Sequence, residues 1–113
     1  MKGYVMELKK IVAIIRNTEL EKVEGRLVDM RVKGISVTKV KGFGEYANFF
    51  NPDWMVTHSR IEIFTEEARV DEIVSVIIEI AHTGMEGDGI VAVIPVEKVY
   101  RIRTKSQISP EEL

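Results

Sequence analysis

The sequence predicts an α+β fold, a four-stranded antiparallel sheet with two helices on one of its faces. Two segments carry apolar residues at helical spacing, and four carry β-branched runs or period-two alternation. They follow one another in the order β-α-β, long loop, β-α, glycine-rich loop, β, which is typical of two split βαβ units sharing one sheet. The 113 residues provide one domain, residues 1–113, with a single core.

The first half of the chain contains a strand, a helix and a second strand. The β-branched run Lys10–Arg16 has charges at its ends, as expected for a strand covered on at least one face. Thr18 and Glu21 fit a capping box, and the apolar stripe behind them predicts a helix over Glu19–Arg31. Apolar and polar residues alternate over Ile35–Val40, which predicts a second strand with one buried face.

The second half repeats this pattern after a long connection. No period holds from Lys41 to Ser59, and a loop of that length is usually functional or disordered. The run Arg60–Phe64 is the third predicted strand, and Thr65 is expected to cap a helix over Glu66–His82. Ile90–Val96 is the fourth strand.

The C-terminal segment, residues 97–113, has weaker patterns. Glu97–Thr104 is expected to be a short extended piece with Arg101 and Arg103 on the same side. Ser106–Leu113 is polar and is expected to fray.

This order of elements is the ferredoxin-like βαββαβ arrangement. One sheet face is then left without a cover, although two of the strands look apolar on both sides. A chain this short has no third layer, so we expect the face to be buried in a closed homo-oligomer.

Composition excludes several classes of function. A net charge of −2 and an isoelectric point near 5.7 leave no basic footprint for nucleic acid. Without cysteine there is no disulfide framework or thiolate chemistry. The longest apolar run is too short to span a bilayer, and the N-terminus lacks a signal-peptide core. We therefore expect a soluble, cytoplasmic protein with no direct membrane insertion.

The segment Thr83–Ile90 carries three of the eight glycines. Glycine allows backbone N–H groups to turn inward without a Cβ in the way, as a loop that holds phosphate requires. The structural alternative is a helix stop followed by an Asp88-Gly89 turn, and the two interpretations are about equal on turn statistics alone.

Three motifs decide between them: Lys41-Gly42-Phe43-Gly44, Thr83-Gly84-X-X-Gly87-Asp88-Gly89, and Arg101-Ile102-Arg103-Thr104. In this order and spacing, over about Lys9 to Thr104, they resemble the PII nitrogen-regulatory signal proteins. The resemblance implies a compact homotrimer that binds nucleotide in the clefts between subunits. It also implies a T-loop, here residues 43–59, that docks on a transporter or an enzyme, and a B-loop, here residues 83–90.

The resemblance also implies the nucleotide-binding residues, by their positions in the motifs. Gly42 and Gly44 would form the first wall of the cleft, and Ile14, Ser36, Val37 and Phe64 would line its base. Gly84, Gly87, Asp88 and Gly89 would face the phosphates, and Arg101 and Arg103 would reach them from the neighbouring subunit. Glycine amides and guanidinium groups are suited to polyphosphate oxygens.

Four positions depart from the family pattern and bear on the ligand. The glutamine that helps hold Mg²⁺ and 2-oxoglutarate is Tyr46 here, and the lysine that pairs the 2-oxoglutarate carboxylate aligns with His58. Two B-loop lysines are replaced by Met85 and Ile90. A phenol is a poor ligand for a hard cation, and fewer cations favour a less charged ligand. We therefore expect ADP or AMP rather than Mg-ATP with 2-oxoglutarate, and no firm metal.

The predicted T-loop is short and lacks the tyrosine segment that resembles a uridylylation site. It is rich in aromatic residues instead, namely Phe43, Tyr46, Phe49, Phe50 and Trp54. Such residues are typical of a partner interface. The alternative, that they fold back on their own trimer, is about equally supported.

No serine, histidine and acid form a nucleophile motif, so the leading hypothesis is a non-catalytic regulator. Because the 2-oxoglutarate positions are lost, its second effector, if it has one, would be another small anion such as bicarbonate. The alternative from another class is a ferredoxin-like metal-binding or metal-tolerance trimer that no longer binds nucleotide, with His58 and T-loop carboxylates as ligands. A small enzyme with the T-loop as a lid is the weakest reading.

Overall fold

The computed structural model describes residues 7–42 and 56–113. Its strands and helices lie in the predicted order. They are β1 (Leu8–Arg16), α1 (Leu20–Asp29), β2 (Ile35–Gly42), β3 (Val56–Glu66), α2 (Val70–Ala81), β4 (Gly89–Val96), β5 (Tyr100–Arg101) and β6 (Ser106–Gln107).

The first four strands form one antiparallel sheet in the order β2-β3-β1-β4. Both helices cover the same face, because one core joins strand and helix residues, namely Ile11, Ala13, Ile15, Ile61 and Ile63 from the sheet and Val23, Leu27, Ile73, Ile77 and Ala81 from the helices. The predicted ferredoxin-like fold is therefore confirmed. No helix in the described ranges is long and apolar enough to cross a membrane.

The opposite sheet face, called the open face below, has no second layer within the described part of the chain. The register places Ile90 beside Ile14 and Ile94 beside Lys10 on this face. Ile90, Ile94 and Phe64 each keep between 37% and 43% of their surface exposed. As predicted, the open face has apolar side chains without a cover in the single chain.

The predicted start of the first helix was wrong. Asn17–Glu19 form a 3-10 turn, and α1 begins only at Leu20, with no side-chain hydrogen bond to its N-terminal cap. Thr18 lies inside that turn, where its hydroxyl donates to the Glu19 carboxylate at 3.4 Å. The capping box with Glu21 does not form because the chain turns before the helix begins.

The second helix and third strand also differ from the prediction. β3 begins at Val56, so residues 56–59 of the predicted T-loop are strand, paired with the end of β2. Thr65 is not a helix cap but a buried strand residue that pairs with Lys9. A 3-10 turn at Glu67–Arg69 separates β3 from α2. The polar character of Thr65 suggested a cap, but its place in the ladder keeps it in the sheet.

The C-terminal segment is ordered rather than frayed. β5 and β6 pair as a short hairpin, and Pro110–Glu112 form a 3-10 turn with a capping box from Ser109. Ile108 is buried, and its amide donates to the Val99 carbonyl at 2.8 Å. Arg101 lies in β5 but Arg103 lies in the hairpin turn, so they do not share one extended strand as predicted.

Candidate functional site

The predicted B-loop, residues 83–90, follows α2, and its last two residues, Gly89 and Ile90, are the first residues of β4. Gly84, Gly87 and Gly89 all have positive φ, at +88°, +98° and +100°. Residues other than glycine rarely adopt a positive φ. The three glycines therefore give the loop its backbone shape, which both a phosphate-binding loop and a helix stop followed by a turn require.

Asp88 holds this loop together through both carboxylate oxygens. Oδ2 accepts from the amides of Thr83 and Gly84 at 2.8 and 2.9 Å. Oδ1 accepts from the Thr83 hydroxyl at 2.5 Å and from the Arg16 Nε at 3.2 Å. The acceptor capacity of Asp88 is thus engaged by the chain itself, and its carboxylate fixes the loop.

These contacts determine the protonation state of Asp88. Burial alone would raise the pKa of the carboxyl, because it penalises the charged form. The hydrogen bonds from Thr83, Gly84 and Arg16 together stabilise the charged form by more than burial penalises it. They hold the pKa of Asp88 well below its usual range. Asp88 is therefore a carboxylate throughout the physiological pH range.

Arg16 supports the B-loop, a role that the sequence pattern did not predict, since it marked Arg16 only as the charged end of a strand. Besides Asp88, its Nη2 donates to the Glu86 carbonyl at 2.6 Å. The signal was available, because antiparallel pairing of the first and fourth strands places the end of one beside the start of the other. Arg16 and the B-loop meet at that end of the sheet.

His58 lies in β3 and is 3% exposed. Its Nε2 lies 3.0 Å from the Gly87 carbonyl oxygen, and since a carbonyl only accepts, Nε2 carries the proton and donates. The side chain therefore links the sheet to the B-loop. In the described ranges no group of three or more His, Cys, Asp or Glu residues could hold a metal ion.

Gly89 makes the closest backbone approach of the site. A Cβ at this position would lie 1.7 Å from the Ile14 carbonyl oxygen and 2.8 Å from its carbon. No side chain fits there, so β4 enters the sheet directly against Ile14. This contact places the B-loop beside one of the predicted base residues.

The other predicted base residues are divided between the two sheet faces. Strand alternation and register place Ile14, Ser36 and Phe64 on the open face. Val37 pairs with the buried Ile61 and therefore lies on the helix face, although it remains 36% exposed. The structure thus brings three of the four onto one surface and separates Val37 from them.

A pocket of about 260 Å³ lies between α2 and β4 on the helix side. Ile15, Ile77 and Ala81 line it, and Asp88 and Gly89 reach its rim. None of Ile14, Ser36, Val37 or Phe64 lines it. The pocket therefore shares Asp88 and Gly89 with the predicted nucleotide site, and none of the residues predicted to line its base.

The remaining predicted residues lie at the edges of this region or outside it. Gly42 is the last residue of β2, opposite Val56. Gly44 falls outside the described residues, as do the aromatic positions Phe43, Tyr46, Phe49, Phe50 and Trp54. Arg101 pairs with Glu112 at 3.2 Å in the C-terminal segment, and Arg103 is exposed in the hairpin turn.

Comparison with known proteins gives consistent results. The family model for nitrogen regulatory protein P-II matches residues 8–106. A nitrogen regulatory protein P-II of Azospirillum brasilense is 39% identical over 109 residues, covering 86% of this chain and 93% of the relative. One from Pasteurella multocida (strain Pm70) is 38% identical over 104 residues, with the same coverage. The match to a P-II homolog of Arabidopsis thaliana is 33% identical and covers 84% of this chain and 53% of that one.

A solved structure shares the fold. The crystal structure of Arabidopsis thaliana PII bound to citrate superposes with a TM-score of 0.77 at 33% identity. The match covers 90% of this chain and 89% of the plant chain.

Proposed function

This chain belongs to the nitrogen regulatory protein P-II family, and we propose that it acts there as a homotrimeric, cytoplasmic sensor of adenine nucleotide. The family is one of regulatory proteins, which confirms the prediction of a signal-transduction regulator rather than an enzyme. In the proposal, nucleotide binds in the clefts between subunits. Binding of nucleotide changes the conformation of the T-loop, and the T-loop controls a membrane transporter or an enzyme.

The observation that carries the nucleotide proposal is the B-loop. Three positive-φ glycines and the four hydrogen bonds to Asp88 fix its backbone before any ligand arrives. A glycine-rich backbone in a fixed turn is suited to an anion. Ile14, beside the loop on the open face, offers an apolar surface for a base.

The open face supports the trimer. Ile90, Ile94 and Phe64 are large apolar side chains exposed together on a sheet that this chain does not cover. The Arg60 Nε on the same face is buried, with no hydrogen-bond partner among the described residues. Covering this face with further copies buries apolar area and brings donors and acceptors to such groups.

The charges around the B-loop support ADP or AMP over Mg-ATP with 2-oxoglutarate. Ile90 and Met85 are exposed and neutral, and Arg16 is engaged by Asp88 and the Glu86 carbonyl. His58 donates to Gly87, so the position that aligns with a carboxylate-pairing lysine serves the loop. The plant relative is described as bound to citrate, which agrees with a general ability of the fold to bind anions.

The partner proposal depends on the segment between Gly42 and Val56. Its sequence places Tyr46, Phe49, Phe50 and Trp54 within nine residues. Aromatic side chains bury a large area at low rotamer cost when they dock on another protein. A transporter or enzyme that meets this segment would be released or engaged as nucleotide changes its conformation.

The proposal is tested by isothermal titration calorimetry with AMP, ADP and ATP, each with and without Mg²⁺ and 2-oxoglutarate. We expect micromolar binding of ADP or AMP that 2-oxoglutarate does not enhance. Adenosine is the matched control ligand, because it keeps the base and lacks the phosphates. It should bind at least about tenfold more weakly if the B-loop recognises phosphate, a difference of about 1.4 kcal/mol.

Two other results would change the conclusion. Tight ATP binding that 2-oxoglutarate enhances would contradict the proposed preference for ADP or AMP, but the protein would still be a nucleotide sensor. Binding of none of the nucleotides would contradict the nucleotide sensor altogether.

A further inference from the structure

The C-terminal segment contains an ion pair that involves one of the predicted phosphate-binding residues. The Arg101 Nη1 lies 3.2 Å from the Glu112 Oε1. Both side chains are partly exposed, at 36% and 44%. Arg101 is one of the two arginines that the family resemblance assigns to nucleotide phosphate, and in this structure a carboxylate of the same chain contacts its guanidinium.

Glu112 is held in place by the turn that precedes it. Its second oxygen, Oε2, accepts from the Ser109 amide and from the Ser109 hydroxyl, both at 2.8 Å. Pro110 follows the cap and fixes the start of the turn. One carboxylate oxygen is thus fixed by the backbone while the other faces Arg101.

These contacts also keep Glu112 charged. The hydrogen bonds from the Ser109 amide and hydroxyl lower the pKa of the Glu112 carboxyl, and Arg101 adds to the effect. Glu112 is therefore an anion at any pH at which nucleotide binding would be measured.

We propose that Glu112 competes with nucleotide phosphate for Arg101 and thereby limits the affinity of the site. The inference rests on the proposed function, since it requires that Arg101 contacts phosphate. A carboxylate and a phosphate oxygen both accept charge-assisted hydrogen bonds from a guanidinium group. Nucleotide must then displace Glu112 from Arg101 or share the guanidinium with it.

The size of the effect follows from the exposure of the pair. Water and salt screen an ion pair of this kind, which limits its contribution to a factor of about two to five in an equilibrium constant. Glu112 therefore adjusts affinity and does not abolish binding, and its removal should strengthen binding most at low salt.

The test is ADP titration calorimetry on Glu112→Gln. Glutamine keeps the capping box, because its amide oxygen still accepts from Ser109, and it removes the charge that faces Arg101. We expect the dissociation constant for ADP to fall about two- to fivefold at low ionic strength. Glu111→Gln is the matched control, since it removes the same charge one residue away, and it should leave the constant unchanged.

A double-mutant cycle shows whether Glu112 acts through Arg101. In an Arg101→Ala background, Glu112→Gln should change ADP binding no more than Glu111→Gln does. Equal effects of Glu112→Gln and Glu111→Gln in the unsubstituted background would overturn the inference alone, as would an effect of Glu112→Gln that persists without Arg101. If the unsubstituted protein binds no ADP, the proposed function fails and the inference fails with it.

Discussion

At the scale of single residues, the B-loop depends on one carboxylate that satisfies four donors. The sequence predicted a functional loop here and named Asp88 within it. It could not show that the Asp88 carboxylate turns back onto Thr83 and Gly84, because that depends on the backbone conformation of the loop. Arg16 and His58 were missed as supports of the loop because their contacts with it arise from the pairing of distant strands, which for Arg16 the predicted strand order already implied.

Asp88→Asn should lower the free energy of unfolding by about 1–3 kcal/mol at neutral pH. An amide group replaces one acceptor oxygen with a donor, which then faces donors such as the Thr83 amide. Chemical denaturation of the two proteins measures the difference. Glu86→Gln is the matched control, because the main-chain carbonyl of Glu86, rather than its side chain, contacts Arg16.

The lowered pKa of Asp88 also predicts that the destabilisation by Asp88→Asn depends on pH. The folded-state pKa of Asp88 is lowered, so its ionisation stabilises the fold fully above the unfolded value of about 3.9. This contribution is lost as the pH falls below about 4. The stability difference between Asp88→Asn and the unsubstituted protein should be constant from about pH 5 to 8 and should shrink in acid. A difference that grows in acid would contradict this account.

At the scale of elements, hydrophobic periodicity identified both helices and all four strands of the main sheet. The errors were in the residues at which these elements begin and end. Thr18 and Thr65 were both assigned as helix caps, but a 3-10 turn precedes each helix and moves its start. The short hairpin of β5 and β6 has too little periodicity to be read from sequence. The close contact of Gly89 with Ile14 was also invisible, because it arises from strand pairing.

Gly89→Ala should destabilise the protein by more than about 3 kcal/mol, beyond ordinary overpacking. The added Cβ would meet backbone atoms of Ile14, which cannot move without breaking the pairing of β1 and β4. Gly25→Ala in α1 is the control, because nothing lies within 4 Å of the added methyl group. It should stabilise the helix by up to about 1 kcal/mol. Thermal unfolding distinguishes the two, and equal stabilities would contradict the packing described at Gly89.

At the scale of the whole molecule, the fold class followed from the order of elements, and the uncovered sheet face followed from strands that are apolar on both sides. The open face has two parts that the sequence did not separate. The apolar part consists of Ile14, Ile90 and Ile94 on β1 and β4, together with Phe64 on β3. On β3, Glu62 pairs with Lys10 at 3.1 Å and with Arg60 at 2.8 Å. In the proposed trimer, the apolar area would favour assembly and the charged groups would specify how the copies align.

Ile94→Glu should convert the proposed trimer into smaller species while the single chain stays folded. A carboxylate at this position is solvated in the free chain but would lose that water in the assembly, and the neighbouring Lys10 is already paired with Glu62. The cost is several kcal/mol. Ile78→Glu is the matched control, since Ile78 is 51% exposed on α2, on the other side of the sheet. Sedimentation velocity measures the result, and an unchanged Ile94→Glu assembly would show that the open face is not the interface.

An adenine nucleotide site completed by neighbouring copies of the chain can be observed by native mass spectrometry with added ADP. We expect a species of three times the 12.9 kDa chain mass that carries up to three ADP molecules. A single chain that binds ADP by itself, or a trimer that remains free of nucleotide at millimolar ADP, would contradict this expectation.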